Sequence, residues 1–388
     1  MTTTSETLTR FPAPDLSPAA LAEVTAQVAA TAEQYDRSGE IPTAGLLVAH
    51  RAGLLTATVG TEFGGPGLGP AEAARILIAL GEGDPSVALL AANTLAGHAA
   101  HASTRHWPRA VYDDLLTRSL TEPALINAIR AEADLGAPAR GGLPTTTVTR
   151  AGQEWILQGH KVFATGGEAL AYHIVWALAD DGRVGHVVLP GDSPGITWRH
   201  TWDHLGLRAS NTHDVTYTDV RVPLENFIEI PKVDGVYRDP AANAGLWSFG
   251  HSALYIGVAR AARAAFVDFA QNRVPSALGR PIATTERIQA VAGEIDTQIA
   301  IAETLLFGAL TRALNEEPGI GAQLSVIKVA VARAVVNAVQ TAVAALGNPG
   351  LTRHNSLERH LRDVLCVRVH PPQEDSALIA AGRRILAV

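Results

Sequence analysis

The hydrophobic period of this chain changes twice, and that double change leaves few architectures open to it. From about Leu16 to Glu122, apolar residues recur at helical spacing. "SPAALAEVTAQVAATAEQYDRSG" closes at Gly39, and "PAEAARILIALGEG" and "DPSVALLAANTLAGHAAHAS" each open with a proline suited to a first helical turn. A glycine-rich loop, "GTEFGGPGLGP", stands between the first helix and these two. From about Pro123 to Pro231 the period falls to two. "TTTVTRAGQEWILQGHKVFAT" reads as strand, turn at Ala151-Gly152, strand, and "HIVWALADDGRVGHVVLPG" reads as a hairpin turning at Asp181-Gly182. "DVTYTDVRVP" alternates Val215, Tyr217, Asp219 and Arg221 against Thr216, Thr218, Val220 and Val222. From about Gly250 long helical runs return, with short breaks at "PSALGRPIAT", "EPGI" and "GNPGLTRHN". These lengths suit an antiparallel four-helix bundle. The chain is therefore a multidomain α+β protein: an N-terminal helical domain (1–122), a central β domain of barrel or sandwich type (123–235) and a C-terminal helical bundle (236–388).

Composition narrows the function classes. With 388 residues, 47% hydrophobic and 18% charged, the chain can bury two or three domains around a large core. Cys366 is the single cysteine, which excludes an intrachain disulfide framework and a multi-cysteine zinc site. A formal net charge of −7 without basic blocks argues against nucleic acid as a partner. No uninterrupted apolar run reaches the ~18 residues of a membrane span, and "MTTTSETLTRFPAPDLSP" lacks the apolar stretch of a signal peptide. The expectation is a cytoplasmic protein acting on a small molecule, with no membrane partner.

Near the C-terminus, "CVRVHPPQEDSAL" runs a helical segment into His370 and then stops it at Pro371 and Pro372. Neither proline has an N–H, and the second pushes the first out of the α region. His370 is thus expected at a helix end, either capping the helix dipole or carrying chemistry. His98 and His101 sit three apart on one predicted helix, a spacing compatible with a metal, but no third ligand cluster accompanies them.

Taken together and in order, "EFGGPGLGPAEAARILIALGEGDPSVALL", "GHKVFATGGEALAYHIVWAL", "LGLRASNTHDVTYTDVRVP", "GRPIATTERIQAVAGEID" and "LERHLRD" resemble the acyl-CoA dehydrogenase superfamily over nearly the whole chain. The resemblance implies a flavin held between the β domain and the bundle, and a homotetramer in which a neighbouring subunit completes the site. It places Phe163 against the isoalloxazine and Thr165 at the flavin N5 region. It sends Arg273 to the cofactor phosphates, a task suited to a guanidinium, and sets Gln289, Gly347 and Gly350 near the same cofactor. His251 falls where the family lines its substrate pocket, with Trp247 and Phe249 beside it to make that pocket aromatic; His98, with His101, is expected either to face this pocket or to sit in the core or at the surface.

The departures are informative. The family's Thr-Glu-Pro-x-Ala-Gly-Ser-Asp stretch reads "RAEADLGAPARGG" here: Glu132 and Gly136 match, while Ala131 and Ala137 replace the threonine and serine. Ala344 and "GNPG" stand where a glutamine and a Gly-Gly-x-Gly are usual, which implies a weaker grip on the cofactor's ADP arm. Most decisively, the position of the glutamate base falls at Pro371, beside His370, and the alternative base position falls near Trp247. A histidine in this stretch resembles the two-component flavin monooxygenases related to dibenzothiophene monooxygenase. That resemblance implies reduced flavin (FADH2 or FMNH2) delivered by a separate flavin reductase, O2 as co-substrate, a C4a-peroxyflavin, and an aromatic or heteroatom-containing substrate. A histidine with pKa near ~6.5 can deprotonate such a substrate, which makes His370 the candidate catalytic residue. The alternative is an FAD-dependent acyl-CoA dehydrogenase with its base displaced to Glu374 or Asp375.

Overall fold

The computed structural model describes residues 9–135, 142–240 and 249–387. The first unit is built from α1 (Pro18–Ser38), α2 (Thr43–Arg51), α3 (Pro70–Gly83), α4 (Pro85–Thr104) and α5 (Arg109–Arg118). The three helices expected from periodicity are present, each with proline in its first turn. Gly39 ends α1 in the left-handed conformation at φ +72°. Asp84 closes α3 and caps α4, its Oδ1 accepting from the Ser86 N–H at 2.8 Å.

The middle unit is one sheet of eight strands: β1 (Leu125–Ile129), β2 (Thr147–Ala151), β3 (Glu154–Ala164), β4 (Leu170–Ala179), β5 (Val184–Pro190), β6 (Ile196–Arg199), β7 (His213–Pro223) and β8 (Phe227–Glu229). Its order is β6-β7-β3-β2-β4-β5-β8, with β1 lying parallel on β4. The edge strands β6 and β8 do not pair with each other, so among the described residues the sheet is open where a closed barrel was one expectation. A short ribbon of β9 (Lys232–Val233) and β10 (Val236–Tyr237) follows. Both predicted turns are present, with Gly152 at φ +67° and Gly182 at φ +87°.

The alternation read in β7 breaks at one residue. Asp219 takes φ +51°, and the register with β3 slips between Leu157 and Gly159. This bulge switches the buried set from Val215 and Tyr217 to Val220 and Val222, so one strand buries two apolar pairs of opposite phase. Glu132, just past β1, is buried against Lys161 of β3 at 2.6 Å. The carboxylate also accepts from the N–H and hydroxyl of both Thr145 and Thr146, which compensates the loss of water around a buried charge.

The last unit comprises α6 (Phe249–Asn272), α7 (Glu286–Leu314), α8 (Ile320–Leu346), α9 (Asn348–Leu351), α10 (Leu357–Leu365) and α11 (Glu374–Leu386). Three long helices form the body of the expected bundle, and the short α10 and α11 pack on α8 in place of a fourth long one. By length and composition α8 is apolar enough to cross a membrane, a property the search for uninterrupted apolar runs missed because Lys328 and Arg333 interrupt it. Its buried residues, among them Val331, Val335 and Val339, belong to the common core.

The bundle docks on the N-terminal unit through two glycines. A Cβ on Gly257 of α6 would lie 2.2 Å from the Ile78 carbonyl oxygen, and one on Gly81 of α3 would lie 2.2 Å from that of Leu254. Only glycine allows the α3 and α6 backbones to approach so closely. The contact fixes where α6 carries the residues just before it.

Candidate functional site

Those residues are His251 and Tyr255, four apart and therefore on one face of α6. The opposing element is the end of α10, which tightens into a 3₁₀ turn over Cys366–Arg368 and then reaches His370. Asp363 latches α10 to the β domain, its buried Oδ1 accepting from the Leu207 N–H at 2.8 Å. His370 Nε2 meets the Tyr255 hydroxyl at 2.8 Å, and its ring stacks on His251 with centroids 4.6 Å apart and planes 11° from parallel. Burial first, then the adjacent His251 and the Lys328 ammonium, hold His370 well below the usual histidine range. Burial likewise holds His251 down, to about 4, and pushes the Tyr255 phenol well above its usual range. At neutral pH the three form an uncharged set, with one hydrogen bond joining the imidazole nitrogen and the phenol oxygen.

A second group lies at the end of β3. Phe163 takes φ +58° and is 55% exposed, an apolar ring presented at the margin of the sheet with the edge of His204 6.3 Å away. Thr165 is buried beside it. Its hydroxyl contacts that of Thr212 at 3.1 Å, which is in turn 2.7 Å from Ser210, and Asn127 Nδ2 donates to its carbonyl at 2.9 Å. An uncovered aromatic next to a short hydroxyl chain fits the ring end of a flavin: an apolar face and polar atoms at its edge. At the phosphate end the fit is thinner. Arg273 is exposed just past α6 and Gln289 is exposed in the first turn of α7, its Nε2 donating to the Ala283 carbonyl at 3.2 Å. Gly347 ends α8 at φ +66° with open space around it. Gly350 is buried, and a Cβ there would lie 2.8 Å from the Val343 carbonyl, so helix packing accounts for that glycine.

Two candidate residues for the substrate pocket occupy other places. His98 is fully buried in the N-terminal core, its Nδ1 3.0 Å from the Tyr112 hydroxyl of α5, and burial lowers it to about 3. Phe249 is buried under α3 and α4, around a small gap shared with Ala73, Leu77 and Leu95. Trp247, Gly136 and Ala137 lie outside the described residues. His101 packs on Tyr112 at a centroid distance of 3.9 Å, in the same core as His98. Of the expected histidines, the fold joins His251 and His370. Tyr255 and Lys328 were not anticipated; the i, i+4 spacing from His251 was the one signal for Tyr255.

The alternative carboxylates are engaged elsewhere. Glu374 Oε1 accepts from Arg333 Nη2 at 2.5 Å and from its Nε at 3.1 Å, and Asp375 Oδ1 accepts from the Ser376 N–H at 2.8 Å in the first turn of α11.

Comparison with known proteins identifies the family. Family models for the N-terminal, middle and C-terminal domains of acyl-CoA dehydrogenase match residues 16–107, 129–220 and 248–371. YdbM of Bacillus subtilis (strain 168), whose name places it among the acyl-CoA dehydrogenases, is 28% identical over 90% of this chain and 91% of its own. A nitrososynthase from Micromonospora carbonacea var. africana superposes with a TM-score of 0.79 at 25% identity, covering 98% of this chain and 100% of that one. TdsC from Paenibacillus sp. A11-2, solved with FMN and indole, shares the fold at a TM-score of 0.82 and 19% identity, over 95% and 96% of the two chains. Three consecutive domain matches, the helix–sheet–bundle order and the flavin-compatible margin of β3 lead to one conclusion: this chain belongs to the acyl-CoA dehydrogenase superfamily of flavin-dependent oxidoreductases.

Proposed function

We propose that the protein is an oxygenase that uses reduced flavin and O2 to oxidise a small aromatic or heteroatom-containing substrate. The observation that carries this reading is the neutral His370–Tyr255 pair, 2.8 Å apart, in the stretch where a dehydrogenase of this superfamily needs a carboxylate. Removing a proton from carbon beside a thioester calls for a strong, correctly placed base. A buried neutral imidazole is matched instead to a more acidic O–H, N–H or S–H. The likeness to a nitrososynthase over nearly the full length supports the same direction.

Bound in its reduced form, FADH2 or FMNH2, the flavin supplies the electrons that activate O2. The chain's own residues do the rest. Phe163 and Thr165 would hold that ring system, the first through its exposed apolar ring and the second through its hydroxyl. His370 accepts the substrate proton at Nε2 while Tyr255 shifts its hydrogen bond, and His251 keeps the imidazole plane fixed by stacking. Tyr255 is fully buried and the two histidines are partly buried, which limits the water that competes for that proton. Arg273 is assigned to the cofactor phosphates.

A separate flavin reductase is the partner this chemistry requires. A homotetramer is proposed from the bundle surface, where Ile301, Leu351, Ile379, Ile385 and Leu386 are exposed apolar residues suited to burial against another subunit. The protein is assigned to the cytoplasm, where a reductase and reduced nicotinamide are at hand. The dehydrogenase reading would need Glu374 to leave Arg333, or Asp375 to leave its turn.

Stopped-flow mixing of protein and reduced flavin with O2 tests the reading. A long-lived oxygenated flavin absorbance, absent when protein is omitted, is expected. Efficient oxidation of an acyl-CoA with an artificial electron acceptor would overturn it in favour of the dehydrogenase.

A further inference from the structure

Lys328 is a nearly fully buried ammonium on α8, and its hydrogen-bond acceptors all come from one turn. Its Nζ donates to the carbonyl oxygens of Val367 at 3.1 Å, His370 at 2.9 Å and Pro372 at 3.2 Å. An ammonium has three N–H donors, so this set uses all of them. The reason lies in the sequence. Pro371 and Pro372 have no N–H, so the chain between Val367 and Pro372 cannot continue a helical ladder and satisfy its own carbonyls. Among the described residues no carboxylate hydrogen-bonds to Lys328. Glu374 is the nearby attractive charge, and it is bound to Arg333. A buried cation without a bonded counter-ion is a costly choice for a core helix, which points to a task beyond packing.

We propose that Lys328 is the positioning residue of the His370 site: by gripping the Val367, His370 and Pro372 carbonyls it sets the imidazole against the Tyr255 hydroxyl. The mechanical part stands on geometry, and only its effect on turnover rests on the oxygenase reading. The ammonium has an electrostatic consequence as well. The groups facing His370 are His251 and Tyr255 from α6 and Lys328 from α8; Asp363 and Cys366, from α10 and its following turn, act on Tyr255, and Glu374 of α11 acts on Lys328. Asp363 is bonded to the Leu207 N–H, and Lys328 is the fixed positive charge of the set. It opposes protonation of His370, so the grip and the charge both favour a neutral, oriented acceptor.

The test is histidine NMR on full-length protein, with the His370 resonance assigned by its loss in His370→Gln. In wild type, the His370 signal is expected to move at alkaline pH with the same midpoint as the Lys328 ¹⁵Nζ signal. That midpoint lies below the ordinary lysine range because burial disfavours the ammonium. In Lys328→Met, His370 should titrate at a higher pH than in wild type, and turnover should fall at least tenfold with flavin affinity unchanged; Lys328→Arg should restore part of both. If the methionine variant does not fold, the wild-type titration and the arginine variant decide. A His370 signal blind to Lys328 deprotonation, or one identical in folded Lys328→Met, overturns the proposal. If Lys328→Met alters the His370 titration while His370→Gln leaves turnover intact, the positioning role stands and the oxygenase reading falls.

Discussion

His370 Nε2 and the Tyr255 hydroxyl lie 2.8 Å apart although 115 positions separate them in the chain. One comes from the turn after α10, the other from α6; Tyr255 is fully buried and His370 is partly buried. Because Tyr255 stays a phenol and His370 stays neutral, the pair can accept a proton without first losing one.

Removing the acceptor should stop turnover and spare binding. His370→Ala is expected to lower the oxygenation rate by roughly 10²–10⁴-fold, with the oligomer and flavin affinity retained. Tyr255→Phe should cost less, because it leaves the base and deletes its partner. The acid limb of the wild-type rate should fall well below pH 6.5, since His370 is held below the usual histidine range. A limb centred at ordinary histidine values would mean that another group governs the rate.

Thr165→Val removes a hydroxyl at nearly constant volume. A hydrogen bond to a charged cofactor is worth about 1.5–3 kcal/mol, so reduced-flavin affinity should drop roughly tenfold or more. Anaerobic titration of protein with reduced flavin measures this. Unchanged affinity would leave Thr165 as a packing residue of the Thr212–Ser210 chain.

Stability should depend on pH through histidines buried in the neutral form. Burial lowers His98 and His360 to about 3, and His173 and His251 to about 4. Below pH ~6.5 the unfolded chain binds these protons and the folded chain does not, so stability is lost as pH falls. Each such group contributes a slope of ~1.4 kcal/mol per pH unit. Urea midpoints measured at pH 7.0 and 5.5 should therefore differ sharply, and equal midpoints would refute this account.

Glu132→Gln tests the buried ion pair. Burial raises this carboxyl, but the Lys161 ammonium and the Thr145 and Thr146 donors outweigh it and bring the group to about 2. A carboxylate held down in this way stabilises the fold above its unfolded pKa of ~4.3, and that contribution disappears as pH falls toward 2. Glutamine leaves Lys161 buried without its counter-charge, a change that costs ~3–5 kcal/mol. The loss should register as a lower thermal midpoint, and a midpoint unchanged from wild type would contradict the pairing.

The sequence by itself determined the architecture. A hydrophobic period that passes from helical to two and back again, with prolines at helix starts and Asp181-Gly182 at a turn, is a local property, and local properties survive folding. It also determined that His370 stands at a helix stop, because two prolines cannot do otherwise. Only the tertiary structure decided which side chains meet. His98, for which the sequence left pocket, surface and core open, and Phe249, read as a pocket residue, are both buried in the core, because α4 and the start of α6 pack together. Val220 and Val222 point to the same side as Val215 and Tyr217 because Asp219 bulges, a one-residue event that alternation counts as a contradiction. Lys328, a single charge within an otherwise apolar stretch of α8, reaches the His370 turn across 42 positions. Such contacts depend on how closely helices cross, as where Gly81 and Gly257 let the α3 and α6 backbones touch.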